Sequence, residues 1–436
     1  MKKLLSMTLC LSMTLSLISC SGSTDSKNPS ASGDTLELTL WTYPIGSWGG
    51  TTPTADEMID NFEAQYPGIS VNVQYLDYTT GDDQVMSAIN GGTTPDIIME
   101  GPERLVSNWG AAGKMVPLND LWTDDVIADI STVSQNVVDA CKGVDGNYYE
   151  FPLCMTVHTM AINYEAFEAA NALQYLDVEN RTWTTDDFFS AVEAVATAGN
   201  VITPAIIYCG GVGGDQGTRA LVNNLYSGSY TTRDFTSYTG NTAENIQALT
   251  ALKAAVDAKH LTADPAFVAS DELQAFANQT TSMSFCWNAS NAAAYASQVT
   301  FTPYAMAFPT DNGTPELCGG IWGFGIFDND DQEKIDAAKL FIEFMAADET
   351  QGPESVQATG FFPVRASQGD VYIGTEQAET MKPYVQLMPY LGNYYNVTGN
   401  WTAQRTGWFN LLQQVFAGED IQSSADAYVN DANSGI

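Results

Sequence analysis

The chain has 436 residues and carries 52 acidic against 16 basic side chains, a formal net charge of −36 at pH 7. That length is enough for two cores of about 150 residues each. The charge argues against nucleic acid and anionic membrane as partners over most of the surface, because binding phosphate relies on cations this chain lacks, and otherwise it means solubility.

Met1-Lys2-Lys3 is followed by an uncharged stretch from Leu4 to Ile18. A positive start and an apolar run of roughly 15 residues are too short to span a bilayer as a mature helix, so residues 1–19 read as a cleaved signal peptide. Leu17-Ile18-Ser19-Cys20 resembles the lipobox of bacterial lipoproteins. That resemblance makes Cys20 the lipid-bearing anchor, and the small Ser19 and Ser21 suit such a site. Residues 20–35 are too polar to bury anything and read as a tether.

Leu36–Tyr43 alternates apolar and polar residues and predicts a first strand, ended by Pro44 and Gly46. Thr54-Ala-Asp-Glu57 is a capping-box pattern opening a helix that Tyr66-Pro67-Gly68 stops. A strand over Ile69–Tyr78, a helix over Asp82–Asn90 closed by Gly91-Gly92, and a buried strand over Pro95–Glu100 complete βαβαβ order, which predicts a mostly parallel α/β sheet. Asp145-Gly146 marks a turn, and Tyr148–Asn163 after it is one extended apolar stretch. Helices follow over Glu165–Ala172, Thr185–Ala198, Asn245–His260 and Asp271–Asn278, with strands over Ser282–Trp287, Tyr304–Phe308 and Trp322–Phe327. Lys334–Met345 has the clearest amphipathic spacing, and Gly407–Phe416 is a further helix. No internal repeat of fixed period is present.

Beyond Cys20 the cysteines are Cys141, Cys154, Cys209, Cys286 and Cys318, an odd number without a C-x-x-C, so neither a disulfide framework nor a zinc ribbon is expected, though one pair has room to form. His158 and His260 have no second ligand four residues on, which leaves little for a metal site or a Ser-His-Asp hydrolase; both are expected to be structural, and neither metal nor cofactor is expected. The cluster Gly210-Gly-Val-Gly-Gly-Asp-Gln-Gly217 lacks the Lys-Ser/Thr of a phosphate loop and the spacing of a dinucleotide fingerprint, and reads as a flexible surface loop. Asp328–Asp331 lacks the glycine and final glutamate of a calcium loop and reads as a solvated turn. Among so many acids no carboxylate pair stands out for acid–base work.

The aromatic residues carry more information. Trp41, Tyr43 and Trp48 crowd the end of the first strand, Trp287 and Trp322 end or begin later strands, and Trp401 and Trp408 flank Arg405. Strand ends are where open α/β sheets bind ligands. Indole faces match the C–H faces of a sugar ring, while Asp82, Glu100, Asn288 and Arg405 suit its hydroxyls.

In order along the chain come Pro95-Asp96, Asp145-Gly-Asn-Tyr-Tyr149 leading to Pro152, Ile162-Asn-Tyr164, Thr182-Trp-Thr184, Met283 with Trp287, Gly319-Gly320-x-Trp322 and Gly360-Phe361-Phe362-Pro363. This series resembles the extracellular solute-binding proteins of bacterial ABC importers across nearly all of the chain after the tether. The resemblance implies an α/β, two-lobe periplasmic-binding-protein fold of type II, each lobe a mostly parallel sheet flanked by helices, joined by a hinge. By that analogy residues 36–152 with 317–354 form lobe one, and 153–316 with 355–436 form lobe two. Residues 398–418, with Gly399-Asn400 and then Arg405, are similar to the glycerol-3-phosphate-binding subgroup, whose arginine holds the phosphate. Phe361 stands where that subgroup has a tyrosine, and Trp287 replaces a ligand serine, as sugar binders show; Thr156 keeps a hydroxyl near another ligand position. The ligand site implied is Trp41, Tyr43, Asp82, Glu100, Thr156, Trp287, Asn288, Gly320, Trp322, Phe361 and Arg405.

These features point to a non-enzymatic, monomeric receptor, lipid-anchored on the outer face of the bacterial cell membrane. It is expected to capture a carbohydrate by lobe closure and deliver it to the permease of an ABC transporter. Glycerol 3-phosphate or a glycerophosphodiester is the alternative ligand. A secreted carbohydrate hydrolase is the alternative of another class, and it needs two carboxylates facing each other across the cleft.

Overall fold

A computed structural model describes residues 35–46, 54–78, 80–211, 213–233, 236–392 and 399–434. The signal segment, Cys20, the tether and Trp48 lie outside the described residues. Strand β1 (Leu36–Thr42) buries alternate side chains, as its sequence dictates, and pairs in parallel with β2 (Ile69–Tyr75) and β3 (Ile97–Glu100). The helices Thr54–Gln65 and Gly81–Gly91 are the crossovers between them. Gly92 closes the second in the left-handed region, at φ 65°, where an L side chain would be strained.

The apolar stretch that looks continuous in sequence is divided. β4 (Phe151–Val157) and β5 (Thr159–Asn163) are buried throughout, yet they belong to different sheets. With β6 (Ile206–Tyr208), β7 (Thr262–Asp264), β8 (Met283–Trp287), β9 (Pro303–Met306), β10 (Gly319–Ile326) and β11 (Phe362–Pro363), they form a six-stranded sheet in the order β11-β4-β10-β3-β1-β2, a three-stranded sheet in the order β8-β5-β9, and the pair β6-β7. The chain leaves the first sheet at His158, not after Pro152, and returns to it at Gly319. The two crossings run side by side, with the His158 N–H donating to the Cys318 carbonyl at 2.7 Å.

Because β10 comes back from the other sheet, it enters between β3 and β4 antiparallel to both, and β5 is antiparallel to β8 and β9. The six-stranded sheet is therefore mixed and the three-stranded sheet antiparallel, and among the described strands parallel pairing is confined to β2-β1-β3 and β6-β7. Helix ends follow local chemistry. Thr184 accepts from the Asp187 N–H and Gly199 closes the helix Thr185–Ala198; Asp331 caps Gln332–Ala347. The five cysteines of the described residues are free.

The glycine cluster departs furthest from its sequence reading. Gly214, at φ 76°, leads into a helix over Asp215–Leu225 in which every residue but Gln216 is buried. A Cβ on Gly217 would lie 2.2 Å from the Phe285 carbonyl oxygen of β8 and 2.6 Å from the Tyr208 hydroxyl. The glycine spacing thus lets a helix press onto the three-stranded sheet. Gly217→Ala is expected to lose about 1–3 kcal/mol of stability through overpacking against backbone that cannot yield, read as a lower urea midpoint; an unchanged midpoint would contradict this packing.

Candidate functional site

The C-terminal ends of β1 and β3 point to one edge of the six-stranded sheet, which places Tyr43 and Glu100 together there. β10 passes that edge with Gly323 opposite Glu100, bringing Trp322 alongside. Tyr43 stacks on Tyr78 with centroids 4.9 Å apart and lies 6.1 Å from Trp322. Tyr78 stays 53% exposed and fixes its ring by donating to the Pro44 carbonyl at 3.0 Å, so an aromatic face is open at the strand ends. Gly81 allows the arrangement, because a Cβ there would meet the Tyr43 hydroxyl at 2.5 Å.

Beside these rings lies a cluster of charges. Arg104 directs Nε and Nη2 at the two oxygens of Asp82, 2.6 and 2.8 Å away; its Nε is also 3.2 Å from Glu100 and its Nη1 3.4 Å from Glu103. On the other half of the molecule Asp215, fully buried, accepts from Arg219 Nε at 2.8 Å and from Arg405 Nε at 3.0 Å. Arg405 also places Nη1 3.9 Å from Asp82. The sequence Arg104, Asp82, Arg405, Asp215, Arg219 thus alternates in sign from one half to the other.

Burial opposes ionisation of Asp82, but the hydrogen bonds and charge of Arg104 and the charge of Arg405 hold it below the usual carboxylate range. Burial opposes ionisation of Asp215 too, and Arg219 and Arg405 hold it low. Glu100 behaves differently: burial pushes its carboxyl up to about 7, against the pull of Arg104 and with the help of Glu103 and Asp82. His158 is pushed down to about 4 by burial and by Arg219, against the pull of Asp215, so it is neutral at physiological pH.

Of the residues read from sequence, the structure gathers Tyr43, Asp82, Glu100, Trp322 and Arg405. Thr156 and Gly320 are register partners on β4 and β10, just beyond Trp322, and the buried Thr156 hydroxyl has no hydrogen-bond partner among the described residues. Trp41 is half-buried against the core. Three others are engaged in packing or capping. Trp287 is fully buried, edge-on to Phe276 at 5.2 Å, and donates its indole N–H to the Tyr384 hydroxyl at 2.8 Å; it is core because β8 turns that side chain toward the helices covering the three-stranded sheet. Asn288 spends its side-chain oxygen capping the helix Ala289–Tyr295. Phe361 is buried and takes the Tyr372 hydroxyl on its backbone carbonyl.

Arg104, Tyr78, Glu103 and Asp215 are the site residues sequence reasoning missed. Glu100-Gly-Pro-Glu-Arg104, a dense charged run just after a buried strand, is the signal that was there to find the first and third of them.

In the folded chain the Glu100 carboxyl keeps its proton up to about pH 7, against an ordinary value of 4.5. The folded state therefore binds more protons in that window, and stability is fully present below about pH 4.5 and is lost as pH rises through 7. Glu100→Gln is expected to flatten this fall when urea midpoints are compared between pH 5 and 8. The same slope in both chains would rule Glu100 out as its source.

The family described as bacterial extracellular solute-binding protein matches residues 57–382. Among solved structures, a solute-binding protein of an ABC transporter from Thermotoga lettingae bound with α-D-tagatose is similar over 92% of this chain and 99% of its own, with TM-score 0.74 and 17% identity. An ABC substrate-binding protein of Listeria monocytogenes in complex with cycloalternan covers the same shares, with TM-score 0.73 and 19% identity. UgpB of Mycobacterium tuberculosis in complex with glycerophosphocholine is similar over 90% of this chain and 96% of its own, with TM-score 0.69 and 15% identity. No curated protein matches by sequence. The fold is the two-lobe periplasmic-binding-protein fold of type II, and its family and fold neighbours are solute-binding proteins and not enzymes. The chain belongs to the bacterial extracellular solute-binding protein family.

Proposed function

We propose that this chain captures a neutral carbohydrate or polyol between its lobes and delivers it to the permease of an ABC importer. Lobe one is built on the six-stranded sheet and lobe two on the three-stranded sheet, with the paired crossings at His158 and Cys318 as the hinge. The observation that carries the ligand class is the state of Arg405. The arginine that would serve a phosphate is already bound to Asp215 and faces Asp82, and Arg104 is shared among Asp82, Glu100 and Glu103. A phosphate ester entering here would meet carboxylates before it met a free cation. Sugar hydroxyls both donate and accept, so they suit paired carboxylates and guanidinium groups, with the open face of Tyr78 and the half-buried Trp322 beneath the ring.

Hydrolysis finds no support in the carboxylates that face each other from the two lobes. Asp82 and Asp215 are both held ionised by arginines, whereas a glycosidase needs one of its pair protonated; Glu100, which does keep its proton, shares Arg104 with Asp82 and sits on the same side as it. The cycloalternan and tagatose complexes of the fold neighbours agree with a carbohydrate ligand. With Cys20 as lipid anchor, the protein works as a monomer on the outer face of the cell membrane.

A thermal-shift screen of residues 21–436, which hold the whole compact unit beginning at Thr35, tests the ligand class. Neutral sugars or polyols should raise the melting temperature, since a ligand at about 100 times its Kd adds about 2.7 kcal/mol, while glycerol 3-phosphate and glycerophosphocholine should not. A response confined to the phosphate esters would reverse the assignment. Replacing Cys20 by Ala in cells should release the chain from the membrane fraction; retention there would exclude the lipid anchor.

A further inference from the structure

We infer that Asp82 and Arg405 form a latch between the lobes that holds a closed population before any ligand arrives. Asp82 lies in the first turn of the helix Gly81–Gly91 on lobe one, and its position is set there by the two-pronged bond from Arg104. Arg405 lies on the helix Trp401–Ala417 of lobe two, held by Asp215 and laid over the Trp401 ring at 5.7 Å. Each partner is therefore fixed by its own lobe, and Arg405 Nη1 meets Asp82 Oδ2 across the gap at 3.9 Å.

Closure brings the guanidinium groups of Arg104 and Arg405 to the same carboxylate. With Asp82 between them the charges alternate; without it, two cations face each other and closure is opposed. At 3.9 Å, with side chains 12% and 27% exposed, the contact has the strength of a partly exposed ion pair. Such a pair biases an equilibrium and does not lock it, which suits a receptor that must open to load and release. The same two side chains offer hydrogen-bonding groups to a solute seated between the lobes, so a ligand takes over a closure the protein has already begun.

The latch rests on the closure reading but not on the identity of the ligand, and salt alone probes it. Small-angle scattering of ligand-free residues 21–436 is compared for the unmodified chain, Asp82→Asn, Arg405→Gln and the double variant. At about 20 mM NaCl each variant should show a larger radius of gyration than the unmodified chain, reflecting a closed-to-open ratio lowered by about fivefold, and the double variant should be no larger than the singles. Raising NaCl to about 1 M, where the Debye length falls to about 3 Å, should expand the unmodified chain to the radius of the variants. Equal radii at low salt, or a radius of the unmodified chain that ignores salt, would overturn the latch. Should Asp82→Asn or Arg405→Gln fail to fold by circular dichroism, the salt titration of the unmodified chain decides alone. A neutral sugar from the thermal screen that contracts the unmodified chain, while its ligand-free radius ignores salt, would keep closure and reject the latch.

Discussion

Asp215 is a carboxylate with no exposed surface, held between Arg219 and Arg405, and the arrangement of the binding region follows from it. A buried charge is tolerated only when paired and hydrogen-bonded, and losing one partner of such a pair costs about 3–5 kcal/mol. Here each carboxylate oxygen meets its own guanidinium. Arg219 is further confined over the Tyr230 ring at 4.1 Å, so Asp215 is held from behind by the core of lobe two and presents Arg405 forward. The direction of Arg405, and with it the charge that lobe two shows to lobe one, is thus set by an interaction inside lobe two.

Lobe one answers with the same device in reverse. Arg104 is nearly buried and gathers Asp82, Glu100 and Glu103, so what it exposes toward the cleft is the carboxylate side of a pair. A planar guanidinium can hold two carboxylates in fixed directions where a lysine could not. The result is a site rich in charged groups but with little unbalanced positive charge. On the proposed reading its polar atoms would meet hydroxyl groups, and its exposed aromatic ring would supply the apolar surface a sugar ring needs.

Much of this architecture was legible in the residues. β1, the two crossover helices and β3 were written in alternation, helical spacing and glycine stops, and the order of segments carried the resemblance to solute-binding proteins. Strand ends pointed to Tyr43, Glu100 and Trp322, which the structure gathers at one edge of the six-stranded sheet. What was hidden was hidden for physical reasons. β4 and β5 are each buried throughout, so the change of sheet between them is marked only by the half-buried His158. Gly214 and Gly217 look like loop residues, yet one supplies a left-handed turn and the other a close approach of helix to strand. That concealed the helix, and with it Asp215. Trp287 illustrates the converse, since a tryptophan at a strand end looks the same in sequence whether its ring faces a cleft or, as here, packs on Phe276 and donates to Tyr384.

The central claim is that a neutral solute is held between the lobes by Asp82, Arg104 and Arg405 with an aromatic ring beneath it. A crystal structure of the chain with the neutral sugar or polyol that binds it tests this most directly. The account predicts hydroxyl groups of the ligand within hydrogen-bond distance of these charged side chains, with Tyr78 or Trp322 against its apolar face and Trp287 untouched in the core. A ligand that contacts Trp287 and none of the charged residues, or that lies outside the space between the two sheets, would contradict it.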